Sequence, residues 1–291
     1  MITLDIAQVG HEVGVNILAS LIFIGFQFLF IWLWIVHNRR KIKSVLRIKP
    51  KRRSDVIKMD ACYANSGRFD EEEGSYLSYP CEYVAVGKME SFLKNNWKNV
   101  DLDSKMGPIN VNDANNINPD RHLLLVGGPF HNLKTGYILG MVKEYSNVPF
   151  YFDTFEGEDA TLFFTGRSKS NPTPYKPTKN AAGKYTKDYG VIINIKNPYN
   201  PEKRLIAVLG CRTFGVLSAM TFLTEHSKDL LKALKAIDGK IPNDYGIIVK
   251  NGNDGENLND SYEVVEAFEM PPVLKDSLQT KHLKNLEVKN I

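Results

Sequence analysis

At 291 residues, with 43% hydrophobic and 24% charged positions, the chain has the make-up of an ordinary folded protein, long enough for one sizeable domain or two small ones. Its net charge of +4 resides in one short basic block. Everything after that block holds 28 basic against 31 acidic residues, a balance that offers no footing for nucleic acid. Three cysteines without CxxC spacing or clustered His argue against a disulfide framework and against a zinc site, and nothing implies a cofactor.

From Val13 to Val36 there is no charged residue, and LIFIGFQFLFIWLWIV contains Gln27 as its one clearly polar side chain. At about 1.5 Å per residue, 24 residues of helix reach roughly 36 Å, enough to cross a hydrocarbon layer of about 30 Å. The segment 13–38 is therefore expected to be a transmembrane helix, with Trp32 and Trp34 as interfacial anchors. A cleaved signal peptide fits less well, because residues 1–38 hold no Lys or Arg and the run ends without small residues.

Nine basic residues follow within 39–53, beginning Arg39, Arg40, Lys41, with no acidic one among them. This block reads as a juxtamembrane linker on anionic lipid. By the positive-inside rule it leaves a tail (1–12) outside and a domain (54–272) in the cytoplasm, at the inner (plasma) membrane. Residues 273–291 read as a charged, frayed tail.

In the domain, DVIKMDA predicts a first strand and CYANSGRFDEEEG a loop at its carboxyl end. This would place Asp60, Ser66 and Arg68 where open α/β sheets hold ligands. Cys81–Trp97 predicts a helix burying Val84, Met89, Phe92, Leu93 and Trp97, and 101–120 a loop. HLLLV then predicts a strand buried on both faces. Gly127, Gly128 and Pro129 turn it into a helix from Leu133, with backbone N–H groups available to an anion.

Pro149–Phe155 and Ala160–Thr165 predict a hairpin, and 167–188, with three prolines, a surface insertion. Tyr189–Lys196 and Leu205–Leu209 predict strands. The second leads through Gly210-Cys211-Arg212-Thr213 into a helix, repeating the earlier strand, turn and helix unit. Two such parallel units would bring Gly127, Gly128, Asn132, Arg212 and Thr213 to one edge. Helix 228–237 and strands 245–250 and 262–268 close the domain. Neither turn carries a Walker or GxGxxG pattern, and no hydrolase or kinase motif is present.

LLLVGGPFHN followed by YGVIINIKNPYNPEKRLIAVLGCRTFGVLSAMTFL resembles a flavodoxin-like α/β module of archaeal S-layer-type proteins. More distantly it is similar to the carboxy-terminal flavodoxin-like domain of the cellulose synthase B subunit. Gly127, Gly128, Pro129, Asn132, Gly190, Asn197, Pro198, Asn200, Pro201 and Gly210 carry the likeness over roughly residues 120–270. Phe214-Gly215-Val216 departs from the Gly-Thr-Ala turn of those families, and they work outside the membrane. The resemblance implies a fold, with scaffolding or carbohydrate-associated roles and no catalytic residues.

The expected fold is thus a flavodoxin- or Rossmann-like, open, mainly parallel sheet with helices on both faces, preceded by one transmembrane helix. Three functions follow in order. The first is a membrane-anchored cytosolic sensor or effector that binds a small anionic, nucleotide-like ligand or a partner, one form being a defence protein that disturbs the membrane. The second is a non-catalytic scaffold. The third is a hydrolase or transferase using Asp60. One transmembrane helix cannot enclose a pore, so membrane activity would require a homo-oligomer.

Overall fold

The computed structural model describes residues 6–50, 52, 54–70, 75–108, 116–139, 148–154, 160–166, 171–253 and 258–271. In residues 65–70, 75–78, 253 and 258–260, and in parts of the first helix, it describes the backbone alone. Trp34, Arg39, Arg40, Lys41, Ser66 and Arg68 are among these backbone-only positions. Lys51, Arg53, Met141, Val142, Gly157 and the tail from residue 272 lie outside the described residues.

Helix α1 spans Ile6–Leu46. The described side chains from Ser20 to Leu33 are exposed all round the helix, including Phe23, Phe28, Phe30 and Trp32. Among the described residues no helix is long and apolar enough to cross a membrane. Strands β1 (Ile57–Tyr63), β2 (Asn65–Asp70) and β3 (Ser75–Ser78) precede α2 (Pro80–Asn96) and β4 (Val100–Met106). Strand β5 (His122–Val126) leads into α3 (Leu133–Leu139). Next come β6 (Phe150–Asp153), β7 (Thr161–Phe164), β8 (Thr173–Tyr175), β9 (Thr178–Lys179), β10 (Tyr185–Asn197) and β11 (Asn200–Gly210). Helices α4 (Thr213–Glu225) and α5 (Ser227–Asp238) then lead to β12 (Tyr245–Asn253) and β13 (Leu258–Glu269).

The fold is mixed α/β and Rossmann-like. An eight-stranded sheet runs β13-β12-β10-β11-β5-β1-β4, with β9 beside β10. The four strands β11, β5, β1 and β4 pair in parallel, and β10, β12 and β13 extend the sheet antiparallel. The continuous apolar run of β5 is buried at every residue because the sheet is covered on both sides. Leu124, Val126, Ile206 and Val208 face α2, α4 and α5, whereas Leu123, Leu125, Leu205 and Ala207 face α3 and the small sheet β6-β7-β8.

Several expectations change. The polar loop after β1 contains a β2–β3 hairpin, and the loop expected at 101–120 begins with an edge strand, β4. With charged residues at Asp101, Asp103 and Lys105, β4 has the composition of a protected sheet edge, which hides it from a periodicity search. Part of the proline-rich insertion is ordered: β8 pairs with β7, and β9 with β10. Val84 is exposed, because Glu82, Ala85, Val86, Met89, Phe92 and Leu93 set the buried face of α2 and residues two apart do not share a face.

The domain does not begin at Ser54. Val45, Leu46 and Ile48 are buried in its core. Buried Asn194 donates to Val45 O and Leu46 O, each at 3.0 Å, and the Tyr245 hydroxyl donates to Val45 O at 3.1 Å. Arg47, in a left-handed conformation at φ 58°, ends α1 and donates to Ile241 O at 2.5 Å. Carbonyls that a helix end leaves unpaired are thus taken up inside the domain. The stretch 42–48 is consequently part of the fold rather than a linker.

Candidate functional site

Four parallel strands end on one edge, at Tyr63, Met106, Val126 and Gly210. The chain leaves β1 through α2 to reach β4 on one flank, while β5 lies on the other flank and hands its helix to the opposite face. The sheet therefore has its topological switch point between β1 and β5, where open α/β folds form a crevice.

Gly127 closes the β5 side of that crevice. Its φ of 103° suits glycine, and its N–H donates to Val208 O at 3.0 Å. A Cβ at Gly127 would stand 2.7 Å from Glu82 Oε1 and 2.8 Å from Ala64 Cβ. The Glu82 carboxyl comes from the first turn of α2, is only 3% exposed, and accepts the Ala64 N–H at 2.9 Å. Burial pushes its pKa up to about 8, opposed by that N–H, so at neutral pH the group is largely a neutral acid.

A second carboxyl sits under the other turn. Asp188 accepts N–H groups from Tyr189 at 2.7 Å and from Gly215 at 2.6 Å. It thereby takes up an amide of the first turn of α4. Burial raises its pKa to about 7 against those donors and the nearby Arg212.

The two glycine turns are neighbours: a Cβ on Gly128 would lie 3.5 Å from Gly210 O. Arg212 is exposed and stacks its guanidinium 4.8 Å above the Tyr185 ring, and its charge joins burial in lowering the pKa of His131. The Tyr79 hydroxyl lies 3.3 Å from His131 Nδ1, and Thr213 hydrogen-bonds the half-buried Cys81. Tyr79, Cys81, His131, Arg212 and Thr213 thus line the rim of the crevice. No family model and no characterised protein matches this chain.

Of the residues singled out in the sequence, Gly127, Gly128, Asn132, Arg212 and Thr213 meet at this edge. Asn132 is spent inside the fold: its Nδ2 donates to Cys62 O and Val126 O, each at 3.0 Å, and its Oδ1 accepts the Thr135 N–H at 3.2 Å. Asp60 does not join them. It lies in the middle of β1, beside Leu123 at the start of β5, and is ion-paired with Arg121, which also holds Asp101 at 2.7 Å. Four residues of strand, roughly 13 Å, separate that register from Gly127. Ser66 and Arg68 fall on β2.

The amides expected to await an anion are, at Gly215 and Thr135, already satisfied by Asp188 and Asn132. Nothing local in the sequence marks Glu82, Asp188, Tyr79 or His131. Glu82 looks like any acid in a first helical turn, and Asp188 like the end of the insertion. Among the described residues no group of three His, Cys, Asp or Glu is placed to hold a metal ion.

Proposed function

We propose that the chain is a single-pass membrane-anchored sensor or effector whose flavodoxin-like domain takes a ligand or partner at the switch-point crevice and relays its state to α1. The observation that carries this reading is the continuity of α1. Its described apolar stretch from Leu21 to Leu33 is exposed, and its last turn is buried in the core against Asn194 and Tyr245. A helix apolar on all sides seeks lipid or protein cover. An end locked into a sheet moves with that sheet. The charge asymmetry of residues 1–53 favours a cytoplasmic domain.

At the crevice, Arg212 is the exposed cation beside His131, so a small anionic or nucleotide-like ligand is the class we favour. A charge-assisted hydrogen bond contributes about 1.5–3 kcal/mol, so Arg212→Ala should weaken such a ligand roughly 10- to 150-fold. A thermal-shift screen of the detergent-solubilised full chain against mono-, di- and cyclic nucleotides, repeated with Arg212→Ala, tests this. Stabilisation that the substitution removes supports the reading. No stabilisation by any nucleotide would hand first place to a non-catalytic scaffold, which the internally satisfied amides at Thr135 and Gly215 favour. The Asp60 hydrolase reading ranks last, given the ion pair with Arg121.

A further inference from the structure

The ends of three helices meet where α1 enters the domain. Lys43 Nζ stands 5.6 Å from the Trp97 ring at the C-terminus of α2, and Arg47 grips Ile241 O just beyond the C-terminus of α5. From there α2 leads to the start of β4 and α5 to the start of β12, and α1 is bonded to Tyr245, the first residue of β12. These starts lie at the amino edge of the parallel strands, opposite the crevice. The exposed side chains around the root of α1 are mainly basic: Lys49, Lys94, Lys98, Lys235 and Lys240. The acids nearby are half-buried Glu90, paired with Lys94 at 2.5 Å, half-buried Asp244, paired with Arg204 at 3.0 Å, and the exposed Asp238 and Glu269, the latter opposite Tyr245 in the sheet.

We propose that this amino edge rests on an anionic bilayer surface, with Lys98, Lys235 and Lys240 on lipid headgroups and the switch-point crevice facing away from the membrane. The inference rests on the membrane reading of α1. Helix length sets the spacing. Nine residues separate Val36, the last apolar residue of the run, from buried Val45, a rise of roughly 14 Å. The headgroup layer occupies about 5–7 Å of that, and the remainder is within a Debye length of about 8 Å at physiological salt. Lysines at the root of α1 therefore sit where an anionic leaflet attracts them. Lys49, Lys98, Lys235 and Lys240 come from three separate segments, so the patch is assembled by the fold. Lysines at helix C-termini also complement the helix dipole, a role that needs no lipid.

The test reconstitutes the full chain in nanodiscs of phosphatidylcholine alone or with phosphatidylglycerol and footprints lysines with a water-soluble acetylating reagent. In anionic discs, acetylation of Lys98, Lys235 and Lys240 should fall about five-fold, the factor corresponding to about 1 kcal/mol per basic residue at such a surface. It should recover in 0.5 M salt. Lys184, beyond the crevice edge, should react equally in both discs. K98E/K235E/K240E should retain its melting temperature yet lose the difference at Lys49 and Lys94. Resistance to alkaline extraction, measured in parallel, separates the two readings. A chain that extracts refutes the membrane anchor. One that stays inserted but shows equal acetylation in both discs refutes the lipid-facing edge alone.

Discussion

Asn194 is the most informative single position for the union of α1 with the domain. It is fully buried in β10, its Nδ2 donates to Val45 O and Leu46 O, each at 3.0 Å, and its Oδ1 accepts Arg204 Nε at 2.9 Å. Asn194→Ala removes both donated bonds and the accepted one at a site fully buried from solvent. Three buried hydrogen bonds at about 1–1.5 kcal/mol each come to about 3–5 kcal/mol. In a domain of this size each kcal/mol moves the midpoint by roughly 2–4 °C, so the apparent Tm should drop by roughly 6–20 °C. Thermal unfolding of the full chain in detergent, followed by circular dichroism, reads this directly. Proteolysis near residues 49–53 should quicken as the end of α1 loosens. Asn200→Ala, which loses two exposed bonds, one donated to Pro119 O at 2.9 Å and one accepted from the Glu202 N–H at 3.1 Å, is the control and should shift the midpoint by under about 4 °C. Equal shifts in the two variants would mean that the seat of α1 in the core contributes nothing to stability.

Deleting residues 1–53 removes core residues Val45, Leu46 and Ile48 and should abolish cooperative unfolding, whereas deleting 1–40 should leave a folded domain; calorimetry of both fragments decides. Gly127→Ala forces a Cβ against Glu82 at positive φ and should destabilise by about 2 kcal/mol or more, with part of the loss recovered by adding Glu82→Ala in a double-mutant cycle. Glu82 holds its proton more tightly when folded, with a pKa raised from 4.5 to about 8, and so does Asp188, raised from 3.8 to about 7. Their contribution is fully present below the unfolded-state values and is lost as pH climbs through the folded ones. Stability should therefore decline between pH 5 and 8, by at most about 1.4 kcal/mol per pH unit per group, and Glu82→Gln should flatten that slope in denaturant melts. A slope unchanged by Glu82→Gln would place the carboxyl in water.

The repeated strand, glycine turn and helix unit was legible because its signals are local. Four consecutive apolar residues, a Gly-Gly-Pro break and a 3.6-residue apolar rhythm each follow from steric and burial rules within about twenty positions. Strand β4 is not legible because an edge strand needs little apolar surface, and β8 is not because Pro174 looks like a loop residue yet is tolerated at a sheet edge. The basic stretch 39–53 reads as a juxtamembrane linker on lipid because Ile42, Val45, Leu46 and Ile48 are four apolar residues among nine cations. The burial of Val45, Leu46 and Ile48 depends on Asn194 and Tyr245, which lie more than 140 residues further along.

The sequence by itself determined the charge-free apolar run, the basic block that follows it, and the two strand, glycine turn and helix units, since each of these is a property of neighbours in the chain. Only the tertiary structure decided what the turns hold. Glu82 lies 45 positions before Gly127 in the sequence, and Asp188 lies 27 before Gly215, yet each carboxyl reaches its turn. No local rule distinguishes a carboxyl that will be buried against an amide from one left in water. That difference arises when the sheet closes and desolvates the group, which also raises its pKa.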